Sequence, residues 1–404
     1  MGSLPETAAR EADLIAFHLP MHTATRLAVP VIERVKLLNP LAKLACYGLY
    51  APINEELLRG LGVDEIAGGE FESSLVQLAS GEKAPRISLA RQDFPAPRRE
   101  GLPQLSRYAK LRQNGDTRLV AYTEASRGCK HVCRHCPITP VYNGAFRVVS
   151  RATVLEDIRL QIAAGATHVT FGDPDFFNGP AHAIAIVEAL HAEFPSVTYD
   201  ATIKIEHLCK HRVLLNNLKE TGCLFVTSAV ESLNDDVLAK LEKNHTRRDF
   251  EGIANEMRAI GLALQPTFLA FTPWTTLDGY RDFLLTIAKL ELIEQVSPVQ
   301  LALRLLITAG SRLLELDEVR AVAGEFDSKA LVYPWKHADP EVDVLATQVF
   351  RLVSEQQARK GSRAQIFASV CDLADVGPIQ IPEATTESAY IDEPWYCCAE
   401  PLPV

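Results

Sequence analysis

The sequence contains no apolar run long enough to cross a membrane, and its N-terminus has no charged-then-apolar pattern of a secretory signal. It also has no excess of basic residues, because 41 Lys and Arg stand against 51 Asp and Glu, for a net charge of -10. A chain with this balance is not expected to take a nucleic-acid backbone as its main partner. We therefore expect neither a membrane nor a nucleic acid among its partners.

The cysteines do not form the even set that a disulfide scaffold needs, because the chain has nine of them. Three lie close together, at Cys129, Cys133 and Cys136, with the spacing CxxxCxxC. This usage predicts a reducing cytoplasm as the location. The length of 404 residues, with 47% hydrophobic and 23% charged residues, is typical of a globular protein of two or three domains.

The three clustered cysteines can converge on one soft metal centre, whereas their short spacings do not suit disulfides with one another. The preceding Arg118–Tyr122 run is predicted to be a strand, so the cysteine loop follows a strand's C-terminal end, where α/β barrels place their chemistry. Three interpretations remain open here. One is a zinc site completed by His131 or His135, another is a chance cluster of thiols, and the third is a [4Fe–4S] cluster with one open iron.

The stretch EASRGCKHVCRHCPITPVYNGAF resembles the cluster-binding loop of radical S-adenosylmethionine (radical SAM) enzymes. The resemblance implies that Cys129, Cys133 and Cys136 hold a [4Fe–4S] cluster, and that its open iron binds S-adenosylmethionine. One electron then cleaves the sulfonium to give a 5′-deoxyadenosyl radical. It also implies a small-molecule substrate and a reductant such as flavodoxin or ferredoxin. His135 occupies the place where the family has an aromatic residue near the adenine.

The fold predicted from the pattern is α/β: a partial (β/α)6 radical SAM barrel preceded by a small Rossmann-like domain. The domains are predicted at 1–82, a linker at 83–112, the barrel at 113–312, and a helical extension with a tail at 313–404. The six barrel strands are predicted at Arg118–Tyr122, His168–Phe171, Thr198–Ile205, Leu224–Ala229, Gln265–Ala270 and Val299–Ile307. The linker is rich in Pro and Arg, and we interpret it as a solvated connector.

The segment VDEIAGGEFESSL in the N-terminal domain resembles the back half of the cobalamin-binding domain that precedes many radical enzymes. The cobalt-ligating DxHxxG loop of that domain is missing, because neither His18 nor His22 has the required Asp and Gly neighbours. We therefore interpret this domain as a degenerate scaffold and do not expect it to bind cobalamin.

Several residues at predicted strand ends are candidates for binding S-adenosylmethionine. By resemblance to the family, Gly172, Asp173 and Asp175 replace a motif that holds the methionine ammonium, and the alternative is that these carboxylates only cap a loop or the helix that follows. Glu231 and Ser232 are predicted to contact the ribose hydroxyls, and Glu206 either does the same or caps its own helix. Arg304 on the sixth strand is expected to bind a carboxylate, which is either the cofactor's or an internal Asp or Glu.

The C-terminal tail, YIDEPWYCCAEPLPV, contains adjacent thiols at Cys397 and Cys398. It resembles a radical family named for a Cys-Cys-Ala-Glu-Pro tail, whose members in some cases carry selenocysteine in place of the second Cys. We predict that this pair takes part in the chemistry, for example by binding arsenic or selenium or by quenching a substrate radical. The alternatives are a cobalamin-dependent radical methyltransferase and a non-catalytic metal-binding protein.

Overall fold

The computed structural model describes residues 4–377, 388–393 and 399–400. Residues 399 and 400 are described as backbone only. The chain divides into two compact units. The first comprises Met1–Gln92, Gly128–Arg147 and Leu306–Trp335, and the second comprises Asp93–Arg127, Val148–Leu305 and Lys336–Val404. Within the described part of the chain, no helix is long and apolar enough to cross a membrane.

The first unit contains a four-stranded parallel sheet whose strands lie side by side in chain order. The strands are Leu14–His18, Lys43–Tyr47, Glu65–Gly69 and Ile87–Ser88. The α-helices of this unit are Glu6–Glu11, His22–Leu38, Tyr50–Ile53, Glu55–Gly60, Glu72–Ala79, Thr139–Tyr142 and Asp317–Val322. The alternation of strand and helix along the sequence predicts this parallel arrangement, because parallel neighbours need a crossover between them. Its core is formed by apolar side chains such as Ile32, Leu44 and Leu58.

The second unit is built on a curled seven-stranded sheet, which confirms the predicted partial barrel. Its five parallel strands are Asp116–Thr123, His168–Phe171, Thr198–Thr202, Cys223–Glu231 and Ala263–Phe268. We number them as the first to fifth barrel strands. Two antiparallel strands, Lys110–Gln113 and Tyr390–Ile391, extend the edge next to the first barrel strand.

Helices cover the outer face of this sheet. They are Arg151–Ala163, Pro180–Glu193, Ile205–Lys210, Leu215–Glu220, Asp235–Lys240, Arg247–Ile260, Leu277–Lys289, Pro340–Ala358 and Arg363–Leu373. Local sequence sets their ends: Thr246 and Asp249 form a reciprocal capping box at the start of Arg247–Ile260, and left-handed Gly261 ends that helix. The apolar faces of sheet and helices form one core, which fixes the positions of the strand ends.

The predicted sixth strand, Val299–Ile307, was wrong in its extent. Residues Pro298–Leu301 form a 3-10 helix, and only Arg304–Leu305 is a strand, joined to the sheet by a parallel bridge between Phe271 and Arg304. Proline fixes φ and has no N–H for a ladder, so the segment turns instead of extending. The side chain of Gln300 accepts the hydrogen bond of the Phe268 N–H, at 2.9 Å, in place of a strand carbonyl.

In the Pro- and Arg-rich segment, Arg99 forms an ion pair with a buried carboxylate of the second unit. Arg99 donates two hydrogen bonds to Asp157, at 3.0 and 2.9 Å, and a third to the carbonyl oxygen of Tyr122 at 3.0 Å. The Asp157 side chain is only 2% exposed, and it also accepts a bond from Gln161. A buried carboxylate needs this compensation, so Arg99 anchors the segment to the helix Arg151–Ala163.

We predict that Arg99→Ala lowers the free energy of unfolding by about 2 kcal/mol, because it leaves a buried carboxylate with only its bond from Gln161. This figure is discounted for the 35% exposure of the Arg99 side chain. Urea denaturation measures the change. The matched control is Arg98→Ala, which removes a neighbouring exposed arginine and is expected to cost less than about 0.5 kcal/mol. Equal effects of the two variants would contradict the anchoring role.

Candidate functional site

The cysteine loop lies within the first unit and is organised by its own hydrogen bonds. The Cys133 side chain is buried, those of Cys129 and Cys136 are half-buried, and none of the described cysteines forms a disulfide. The Cys136 N–H donates to the Cys133 carbonyl oxygen at 3.2 Å, and the Thr139 hydroxyl donates to the same oxygen at 3.0 Å. These bonds form a tight turn between Cys133 and the short helix Thr139–Tyr142.

The entrance to the loop depends on glycine at position 128. Gly128 has φ +72°, and a Cβ there would lie 2.3 Å from Tyr142 Cδ1 and 2.7 Å from the Ala145 oxygen. The Tyr142 hydroxyl in turn donates to Glu70 Oε1 at 2.9 Å. Glu70 is fully buried and directly follows the strand Glu65–Gly69. Sequence reasoning missed this residue, although an acid just after a strand's Gly-Gly end was the available signal.

The loop also presents imidazoles. A ring nitrogen of His131 and Sγ of Cys129 lie within 4.8 Å of each other, and the His135 side chain is buried. Arg312 donates to the Val132 carbonyl oxygen at 2.7 Å and holds this part of the loop. Three clustered thiols are a soft donor set, which fits an iron–sulfur cluster, and the adjacent His131 leaves the zinc interpretation chemically possible.

In the second unit, the second barrel strand is followed by Gly172 and Asp173. Asp173 is 2% exposed, and it accepts the Ala125 N–H at 2.8 Å and the Ser126 hydroxyl at 2.6 Å. Burial raises the pKa of Asp173 to about 7, against the lowering effect of these two bonds. A Cβ at Gly172 would lie 1.8 Å from the Tyr122 hydroxyl oxygen, so glycine gives room for that ring.

Asp175 occupies a second buried position after the same strand. It accepts the Phe177 N–H at 3.1 Å, which begins the 3-10 helix Phe176–Asn178. Its other oxygen lies 2.6 Å from Nδ1 of His207, and both side chains are 1% exposed. Asp173 and Asp175 therefore both have structural contacts, and the binding of a methionine ammonium by either one stays a prediction.

Charged residues gather at the ends of the third and fourth barrel strands. Lys204 Nζ lies 3.3 Å from Glu206, and Lys243 Nζ lies 3.3 Å from Glu231. Glu231 is buried and has φ +71°, an uncommon conformation for a side chain larger than glycine. The half-buried Ser232 accepts the Asn234 N–H at 3.1 Å. The two ammonium groups balance two carboxylates, whose remaining lone pairs can accept ribose hydroxyls.

His245 is a buried titratable residue that sequence reasoning did not identify. Its side chain is buried beside the same charged residues. Burial, together with the Lys243 and Lys204 ammonium groups, lowers the pKa of His245 to about 3. The imidazole is therefore neutral at physiological pH. The sequence signal was its place in KNHT, two residues after Lys243.

Arg304 lies on the short sixth strand and binds a carboxylate of the protein. Its Nη1 lies 2.7 Å from Asp343 Oδ1, so the internal carboxylate that was the alternative to the cofactor's is present. The strand Arg304–Leu305 also pairs antiparallel with Ala399–Glu400 of the tail. Cys397 and Cys398, which precede this pair in the sequence, lie outside the described residues.

The family comparison matches residues 123–270 to the radical SAM superfamily. Two curated relatives are 25% identical to this chain. Hopanoid C-3 methylase from Methylococcus capsulatus aligns over 54% of this chain and 40% of its own length. Bacteriochlorophyllide d C-12(1)-methyltransferase from Chlorobaculum tepidum aligns over 36% of this chain and 32% of its own length. The chain thus spans less than half of these relatives.

Solved structures share the fold. The cobalamin-dependent S-adenosylmethionine radical enzyme OxsB, with aqua-cobalamin bound, matches 86% of this chain and 59% of its own, with a TM-score of 0.63 and 15% identity. The radical S-adenosylmethionine methyltransferase TsrM from Kitasatospora setae, with cobalamin and a [4Fe-4S] cluster bound, matches 71% of this chain and 62% of its own, with a TM-score of 0.55 and 14% identity.

These matches correct one expectation. The prediction that the chain does not bind cobalamin was wrong, because its structural neighbours OxsB and TsrM are cobalamin-bound enzymes. The prediction depended on one absent histidine motif, yet cobalamin can be held without a protein ligand to cobalt. The resemblance to the Cys-Cys-Ala-Glu-Pro family stays a prediction. Residues 123–270 thus match the radical SAM superfamily, and the curled α/β sheet built from them is the fold shared with these solved structures.

Proposed function

We propose that this enzyme is a cobalamin-dependent radical SAM methyltransferase that acts on a small molecule. The observation that carries the proposal is that both curated relatives, found by sequence, are named as methylating enzymes. The fold supports it, because the match to OxsB covers 86% of the chain and so extends beyond the barrel. We further propose a cytoplasmic location, a flavodoxin or ferredoxin as reductant, and no nucleic-acid or membrane partner.

In this proposal Cys129, Cys133 and Cys136 hold a [4Fe–4S] cluster. When bound, such a cluster supplies an electron and an open coordination position for S-adenosylmethionine. The chain's own contribution is to fix the backbone path of the loop, through the turn at Cys133 and the close contact at Gly128.

The strand-end residues are proposed to bind S-adenosylmethionine. Glu206, Glu231 and Ser232 offer oxygens to the ribose, and Lys204 and Lys243 pair with the two carboxylates, each at 3.3 Å. The remaining proposed contacts are those of His135, Gly172, Asp173, Asp175 and Arg304. The Asp343 partner of Arg304 reduces the charge that this arginine has available for the cofactor's carboxylate.

For cobalamin we propose the carboxyl edge of the parallel sheet in the first unit, where Rossmann-like folds bind their ligands. Three rings meet there, which we call the aromatic shelf: His18, Tyr47 and Phe71. The His18 and Tyr47 rings are stacked with centroids 4.9 Å apart, and Phe71 lies 5.0 Å from Tyr47. His18 is exposed and the other two are half-buried, so the shelf fits a large planar group, and cobalamin would supply a carrier for the methyl group.

Cleavage of S-adenosylmethionine tests the radical assignment. After anaerobic reconstitution and reduction, wild-type enzyme is expected to form 5′-deoxyadenosine, and Cys133→Ala none, because the cluster loses one of its three thiolate ligands. Chromatography of the products is the measurement. The matched control is Cys223→Ala, which removes another buried thiol and should leave cleavage intact. Methylthioadenosine as the product, or bound zinc without iron, would overturn the assignment.

Cobalamin binding is tested separately from cleavage. Wild-type protein mixed with hydroxocobalamin and desalted is expected to keep the cobalamin visible spectrum. His18→Ala should raise the Kd about three- to tenfold through lost stacking, whereas the nearby exposed Met21→Ala should not. A wild-type protein that loses its cobalamin on desalting contradicts the methyltransferase proposal. Equal Kd values for wild type and His18→Ala contradict only the role of the shelf.

A second candidate function gives Cys397 and Cys398 a part in the chemistry, as binders of arsenic or selenium. The observation that favours it is the pairing of Ala399–Glu400, which directly follow these thiols, with the last barrel strand Arg304–Leu305. Adjacent thiolates are soft donors with high affinity for such atoms.

Arsenite titration tests this second function. The protein must carry its cluster, because Cys129, Cys133 and Cys136 would otherwise bind arsenite themselves. We expect the wild type to bind at least tenfold more tightly than Cys397→Ser/Cys398→Ser, since one donor pair is lost. Cys209→Ser, which changes a half-buried thiol elsewhere, serves as the control. Equal arsenite affinities of the wild type and the double variant would contradict arsenic binding by Cys397 and Cys398.

A further inference from the structure

The register of the barrel strands sorts their side chains onto two faces. One set packs under the helices in the main core and comprises Ala121, Val169, Phe171, Tyr199, Ala201, Val226, Leu264 and Phe268. Because side chains alternate along a strand, the residues between them point to the inner, concave face of the sheet. The packing of the core therefore decides which side chains point to the inner face.

Cross-strand pairing aligns the inner residues into rows. Tyr122 pairs with Thr170, Thr170 with Asp200, and Asp200 with Phe225. A second row, one step nearer the carboxyl ends of the strands, comprises Thr202, Thr227 and Gln265, and Thr267 lies beyond it. At the opposite, amino-terminal end of the strands, the inner face is closed by apolar contacts among Leu111, Val120, Phe225 and Ala389.

Four hydroxyl groups on this face have no hydrogen-bond partner among the described residues, and we call them the hydroxyl wall: Tyr122, Thr202, Thr227 and Thr267. All four residues lie on the inside of the sheet yet remain partly accessible, and Tyr122 is 51% exposed. Buried or half-buried hydroxyls are normally satisfied by protein, water or ligand. Gly172 leaves room for the Tyr122 ring, because a Cβ there would lie 1.8 Å from the Tyr122 hydroxyl oxygen.

One charged side chain accompanies the hydroxyl wall. Asp200 is 5% exposed, and its Oδ1 accepts the Thr170 hydroxyl at 2.7 Å and lies 2.9 Å from His168 Nε2. His168 Nδ1 lies 2.7 Å from the Thr198 hydroxyl, which fixes the ring. The inner rows contain neither Lys nor Arg at any of these positions. The face therefore disfavours anions and is neutral or favourable toward a positive charge.

We propose that the hydroxyl wall binds the substrate of the methyl transfer proposed above, and that this substrate is a small polar molecule with several hydroxyl or amino groups, either neutral or cationic. The inference rests on that proposed function and narrows its substrate. Unpaired hydroxyls are costly against an apolar ligand, because burial leaves them without partners. A lipid such as the hopanoid named for one relative is therefore a poor fit.

The test uses four six-membered carbocycles of similar size. They are myo-inositol, which is neutral, 2-deoxystreptamine, which is cationic, quinate, which is anionic, and cyclohexanol, which is mostly apolar. Saturation-transfer NMR on the reconstituted enzyme measures their binding. We expect 2-deoxystreptamine and myo-inositol to bind, each at least about fivefold more tightly than quinate or cyclohexanol. Preference for quinate or cyclohexanol, or no binding of either polyol at millimolar concentration, overturns the inference.

Substitutions at the hydroxyl wall test whether its hydroxyl groups bind the polyols. Thr202→Val/Thr227→Val keeps the side-chain volume and should weaken both polyols about fivefold or more. Asp200→Asn should weaken 2-deoxystreptamine selectively. The control, Thr347→Val, changes an exposed threonine on the helix Pro340–Ala358 and should change neither. An unchanged affinity in the double variant contradicts the inference.

Cleavage of S-adenosylmethionine by the same preparations reports on the proposed function independently. If cleavage is intact and no polyol is preferred, only the proposed substrate class is contradicted. If cleavage is absent but the polyols are still preferred, the methyltransferase proposal is contradicted and the polyol-binding site is retained.

Discussion

The buried carboxylate of Asp173 is the contact on which the arrangement around the first barrel strand depends. It accepts bonds from Ala125 and Ser126, the residues that lead from this strand toward the cysteine loop. Burying a carboxylate in this way raises its pKa to about 7, so near neutral pH the site holds a group close to its midpoint of protonation. Two hydrogen bonds offset part of that cost, and they fix the path of the chain where the loop begins.

The path of the cysteine loop is also fixed by short-range contacts. Gly128 is required sterically, the Cys133 carbonyl accepts two bonds, and Tyr142 reaches the buried Glu70. None of these contacts involves a thiol as donor or acceptor. The atoms that shape the loop in these contacts are thus separate from the three thiols that we propose as cluster ligands.

The sequence predicted the strands, the curled α/β sheet and the candidate residues at strand ends, because period-two and helical patterns report burial directly. The sequence did not predict the ion-pair partners of these residues within the chain. Asp175 contacts His207 and Arg304 contacts Asp343, pairs about thirty to forty positions apart that no local pattern reveals. The sixth strand was overestimated because its apolar composition hid the turn set by Pro298. The cobalamin expectation failed because one absent motif was given too much weight.

The division of the barrel strands into two faces has a consequence for how such an enzyme diversifies. The core side chains under the helices carry the stability of the sheet, whereas the hydroxyl wall forms no bond that the described fold depends on. Exchanges at the four residues of the hydroxyl wall can therefore accumulate at little thermodynamic cost, as surface changes do. Selection can alter these four positions while leaving the core of the sheet unchanged, so related chains are free to diverge most there.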